Sequence, residues 1–146
     1  MFRFTLEFLL RYRRQKEETA MYELARRVRA ARQVEADIAQ VRQRAGQLVT
    51  EQQALAGTAP TAALLSLYSR YLHQLRALVE LRTEDLAQAN REVDAERRKL
   101  RQASIERKIM ERLKEIQRQA YQEEEARREA KVADEFTTMR FRRTRS

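Results

Sequence analysis

The sequence predicts an all-α fold: a long antiparallel two-helix coiled-coil hairpin with an overhanging C-terminal helix. Three observations predict it. Charged residues make up 36% of the 146 positions, and Ala, Leu, Glu, Gln and Arg, all good helix formers, dominate the composition. There are only 2 Gly and 1 Pro, too few turn residues for an ordinary globular domain of this length. Apolar residues recur at steps of three and four along most of the chain, the spacing of a coiled-coil seam.

The first helix is expected over about residues 3–56. Its seam runs through Leu24, Val28, Ala31, Val34, Ile38, Val41, Ala45, Leu48 and Leu55, reaching upstream to Phe2, Leu6, Leu10 and Met21, with Arg14 and Glu17 as polar members. Gly57 is the expected helix-ending glycine. The cluster Gly57-Thr58-Ala59-Pro60-Thr61 is the expected reversal, with Thr58 or Thr61 as the N-cap of the second helix. That second helix is expected over about 62–138. Its seam reads Leu64, Leu67, Tyr71, Leu75, Leu78, Leu86, Ala89, Val93, Leu100, Ala103, Met110, Leu113 and Ile116. Residues 139–146 read as a basic tail, and 1–146 as a single coiled-coil domain. A fold-back near residue 59 sets residue 3 near residue 115, so the chain beyond about 118 overhangs as a lone helix. That helix still carries an apolar side, which hints at a partner.

The composition excludes several function classes. The net charge of +9 is spread along the chain, with acidic side chains interleaved almost everywhere, unlike the clustered charge of a dedicated nucleic-acid binder. There are no cysteines, hence no disulfide framework and no thiolate metal site, and a reducing, cytoplasmic setting fits. Phe2–Leu10 is interrupted by Arg3 and Glu7, which argues against a signal peptide. No apolar stretch is long enough to span a membrane. The single histidine, His73, cannot build a dyad or a two-histidine metal site, and the isolated glycines make no phosphate loop. The run Glu123-Glu124-Glu125 reads as a solvated face rather than a metal site. No enzyme and no cofactor are expected.

Three stretches carry a resemblance. The opening Phe2-Arg3-Phe4, with Leu6, Leu9-Leu10 and the basic run Arg11 to Lys16 before Glu17-Glu18, resembles the start of the FliJ family of flagellar type III export proteins. Tyr68-Ser69-Arg70-Tyr71-Leu72-His73-Gln74-Leu75 is similar to that family's second-helix start. The ending, Glu123-Glu124-Glu125, Arg127-Arg128-Glu129, Asp134-Glu135-Phe136 and a basic tail, resembles the family's C-terminus.

The resemblance implies a cytoplasmic stalk, peripheral to the cytoplasmic face of the inner membrane through its partners. Those partners are the hexameric flagellar export ATPase and the cytosolic domain of the export-gate membrane protein, with export chaperones as a further class and no nucleic acid. It implies ATPase-ring contacts at the termini, at Phe2, Phe4, Leu6, Leu10, Arg13, Asp134, Glu135, Phe136, Met139 and Arg140. It implies an export-gate face at Tyr71, Leu75, Leu78 and Arg82. Val41, Ala45 and Leu48 stand where some relatives carry aromatic residues on the first-helix half of that face. Tyr71, Leu75 and Leu78 are equally members of the seam, so core and partner surface are both open for them. The competing readings are the equivalent stalk of a virulence type III secretion system and a basic coiled-coil scaffold on nucleic acid or a membrane surface. The amphipathic start, Phe2 to Leu9, keeps the last of these in view.

Overall fold

The computed structural model describes residues 1–145. It contains two long helices packed antiparallel against each other, α1 (Glu7–Ala56, 50 residues) and α2 (Ala62–Arg145, 84 residues), and no strand among the described residues. The internal contacts divide the chain into two compact units: Met1–Glu18 with Arg101–Ser146, here the terminal unit, and Thr19–Leu100, here the turn unit.

The expected helix start near residue 3 is corrected to Glu7. Residues 1–4 are non-helical, and the helix is entered through a Glu7 N–H to Phe4 carbonyl bond of 3.2 Å and a Leu10 N–H to Leu6 carbonyl bond of 3.0 Å. The reason lies in packing. Phe2 and Phe4 both join the cluster of Leu10, Met110, Leu6, Leu9 and Leu113. Residues two apart point to nearly opposite sides of a helix, so an irregular lead lets both rings reach one core. Within the terminal unit the pairing is antiparallel, since Glu7 meets Lys114 while Glu17 meets Arg107.

In the turn unit, Arg27 meets Glu92 while Arg44 meets Tyr71, again antiparallel. Its buried apolar side chains are Ala31, Ile38, Leu48, Leu75 and Val93, all seam positions. The chain reverses where expected, but the left-handed residue is Ala59, at φ 54°, while neither glycine has a positive φ. Gly57 is therefore not the left-handed cap. The Thr58 N–H and hydroxyl both donate to the Leu55 carbonyl, at 2.9 and 2.8 Å, and close the end of α1. Thr61 caps α2, its hydroxyl accepting from the Leu64 N–H at 3.3 Å.

The expected end of the second helix near 138 is also corrected, because α2 continues through Arg145, while position 146 of the expected basic tail lies outside the described residues. Thr137, Thr138 and Thr144 donate their hydroxyls to carbonyls four residues back, at 2.9, 2.7 and 3.1 Å. The side chains thus bond within the helix instead of competing with it. Arg142, Arg143 and Arg145 in the last turn match the negative end of the helix dipole.

Candidate partner-binding surfaces

In the terminal unit, the seam is polar for more than a turn. Arg107 bonds Glu17 across the helix pair and Glu111 on its own helix at 2.7 Å. Around it lie Arg13–Glu106 at 2.5 Å, Lys16–Glu106 at 3.5 Å, Arg14–Glu111 at 3.4 Å and Lys114–Glu7 at 2.9 Å. The bond from Glu17 holds the Arg107 guanidinium above its ordinary pKa. The bond from Lys114 holds the Glu7 carboxyl below its ordinary value. At Glu106 partial burial pushes the pKa up, but the Gln102 bond and the charges of Arg13 and Lys16 outweigh it and the net shift is downward.

The N-terminal residues that the resemblance assigned to the ring lie within this arrangement. Phe4 and Leu10 are buried in the unit's own core, with Phe2 and Leu6 half-buried against them. Arg13 is tied to Glu106. The C-terminal set behaves differently. Pairing with the first residues ends at Tyr121, where the Met1 amino group donates to its hydroxyl at 2.8 Å and the Phe2 ring lies 5.6 Å away. Residues 126–145 are all exposed, including Asp134, Glu135 and Arg140. Val132, Phe136 and Met139 lie at steps of four and three. Val132 is about six helical turns beyond Met110, so these three continue the buried stripe of α2 past the end of its partner. Phe136 is 68% exposed.

In the turn unit, an open groove of about 600 Å³ is lined by Arg44, Leu48, Glu51, Leu64, Leu67, Tyr68, Arg70, Tyr71 and Gln74. The Arg44 guanidinium lies 5.9 Å from the Tyr71 ring centroid and 3.4 Å from Glu51. Of the residues assigned to the gate face, Tyr71 is 39% exposed, and Arg82 is exposed with Asp85 at 3.6 Å as its partner. Leu75 and Leu48 are buried, and Leu78, Val41 and Ala45 are half-buried, so these serve the helix pair first. Leu67, placed in the seam by its spacing, is instead 63% exposed on the groove. Arg44, Leu67, Tyr68 and Arg70 were not singled out as site residues. The only sequence signal for them was the aromatic pair Tyr68 and Tyr71 close to the turn.

The described residues hold no cluster of three or more potential metal ligands, and no helix among them is long and apolar enough to cross a membrane. The family model described as "Flagellar FliJ protein" matches residues 2–146. No curated protein and no solved structure matches the chain. A match over essentially the whole length shows the family, and the chain belongs to the FliJ family of flagellar type III export components.

Proposed function

We propose that the protein is the stalk of the flagellar export apparatus, inserted by its C-terminal overhang into the hexameric export ATPase and touching the export gate through the groove beside Tyr71. The observation that carries this reading is the overhang. Val132, Phe136, Met139 and Phe141 stand exposed on a helix whose partner ends near Tyr121, and the last turn is basic. A single helix with an apolar stripe and a cationic end suits a ring lumen that grips it from several sides. Its charge favours fast association with an acidic channel. Phe4 and Leu10 support this from within, by holding the base of the overhang rigid, rather than by touching the ring.

Gate contact is assigned to Tyr71 and Arg82, which are exposed on the second helix, with Leu67 and Arg44 completing the groove side. The protein then acts in the cytoplasm, meets the membrane only through its partners, couples the ATPase to the gate without chemistry of its own and escorts export chaperones. The test is deletion of residues 130–146. Circular dichroism should show the remaining helix pair intact, while stimulation of ATP turnover by the purified export ATPase disappears. Full stimulation by the truncated chain would remove the overhang from the ring contact.

A further inference from the structure

Beyond the overhang and the groove, the terminal unit has a second exposed apolar stripe, on α2. Ile105, Ile109 and Ile116 are 46, 60 and 48% exposed. With Arg112 they fall at steps of four, three and four, which is coiled-coil spacing outside the occupied seam. Arg101 and Lys108 run alongside, next to Arg112. At about 100° per residue, all six lie within roughly a third of the helix circumference, on the side turned away from the buried Ala103 and Met110.

The cations on this side differ from those around the seam. Arg13, Arg14, Lys16, Arg107 and Lys114 are all in ion pairs, whereas Arg101, Lys108 and Arg112 make no side-chain ion pair or hydrogen bond among the described residues. The acids of the same stretch are engaged elsewhere. Glu106 and Glu111 bond residues of α1, and Glu115 bonds Arg118 at 2.9 Å. The face therefore presents a row of isoleucines with an uncompensated cationic row beside it.

We propose that this face binds an acidic amphipathic helix of a partner protein, which packs on α2 as a third helix. The 3.5-residue spacing of the isoleucine row fits helix knobs, and the cationic flank selects carboxylates at the positions that set partner choice in coiled coils. An antiparallel second copy of the chain is a poor occupant of this face, because that two-fold contact would set the cations against themselves. An anionic bilayer fits less well. Its surface asks for an apolar centre with cations on both sides, whereas here the two rows lie side by side. The inference does not rest on the ring and gate assignments. Ile116 lies about 30 Å along α2 from Phe136, so both surfaces can be occupied together.

The test uses full-length protein and a labelled four-heptad peptide with Leu at a and d and Glu at e and g, read by fluorescence anisotropy. The acidic peptide should bind, and the same peptide with Lys in place of Glu should not. The triple variant Arg101→Glu, Lys108→Glu, Arg112→Glu should bind the acidic peptide at least tenfold more weakly and should now take the lysine peptide. Ile105→Ser with Ile109→Ser should lose the acidic peptide, with helicity unchanged. The proposal fails if the acidic peptide does not bind, if its binding ignores both sets of substitutions, or if binding is lost on deleting residues 130–146 instead. It also fails if the triple variant abolishes flotation with phosphatidylglycerol vesicles while leaving peptide binding intact, which would make this a membrane face.

Discussion

The two units solve the same problem, holding two antiparallel helices together, with different interiors. The turn unit relies on an alkyl seam of Ala31, Ile38, Leu48, Leu75 and Val93, and Arg27–Glu92 at 2.9 Å is the one direct acid–base bridge between its helices among the described residues. The terminal unit has a small apolar cluster around Leu10 and Met110, followed by a girdle of charge pairs centred on Glu17 and Arg107. Apolar burial stabilises without direction, whereas ion pairs contribute little net stability but penalise wrong partners and wrong registers. The turn unit thus supplies strength. The girdle sets which α2 residues face which α1 residues at the base of the overhang, where register matters for what the overhang presents.

The largest expected effect tests the apolar side of that contrast. Leu10 is fully buried, and Leu10→Ala should cost about 2–5 kcal/mol, as should Leu48→Ala in the turn unit. Thermal melts read the totals. Amide exchange should show Leu10→Ala loosening residues 1–18 and 101–121 preferentially. Uniform loosening by both variants would break the distinction between the units.

A smaller effect sharpens the polar side. Arg107→Leu leaves the largely buried Glu17 carboxylate without its main partner and should destabilise by about 1–2 kcal/mol. Replacing both, Glu17→Leu with Arg107→Leu, should restore or exceed wild-type stability, because a matched apolar pair avoids the desolvation cost. The double variant should bring more misregistered or intermolecular pairing, measured by cysteine cross-linking between positions 7 and 114. If the double variant is as well registered as wild type, the girdle has no role in specificity.

Much of this fold was legible in the sequence, and the misses have physical causes. Spacing found Leu10, Ile38, Leu48, Leu75, Val93, Ala103 and Met110, because an apolar repeat of 3.5 has few structural uses. It left out Glu96, which sits between Val93 and Leu100 at seam spacing and is only 9% exposed. Its carboxylate reaches Lys99 at 3.3 Å, so the polar residue is tolerated there, but residue type alone hid it. Spacing also could not tell Leu67, which faces the groove, from Leu75, which is core, since both fall on the same apolar repeat. Ile116, expected in the seam, is 48% exposed and faces outward with Ile105 and Ile109, because the outward repeat has the same period as the seam. The second helix was expected to end near 138, ahead of a basic tail, and the hydroxyl bonds to carbonyls four residues back within it leave no signal in residue type.

The turn offers a smaller test within the stronger unit. Ala59 holds a left-handed conformation that costs an L-residue about 1 kcal/mol, so Ala59→Gly should raise stability by up to that amount, less the entropy glycine adds to the unfolded chain. A lower melting temperature would show that the turn gains nothing from relief of φ.

Acid should separate the units by the smallest margin. The Glu7 and Glu106 carboxyls have folded pKa values below the ordinary 4.5. Their contribution is therefore complete above about pH 4.5 and is lost as pH falls through the lower folded values. Arg107, with its pKa raised, stays charged across this range and adds no pH dependence. Amide exchange in the terminal unit should quicken on acidification before that of the turn unit does, and high salt at neutral pH should act in the same direction. Equal quickening in both units would mean that the girdle carries no measurable share.

The central functional claim is that the exposed overhang, and not the buried Phe4, touches the ATPase ring. Photo-crosslinking compares the two directly, with benzoylphenylalanine in place of Phe136 in one protein and of Phe4 in another, each mixed with purified export ATPase. The account predicts an ATPase adduct from position 136 and only products within the protein's own chain from position 4. An ATPase adduct from position 4 with none from position 136 would contradict it.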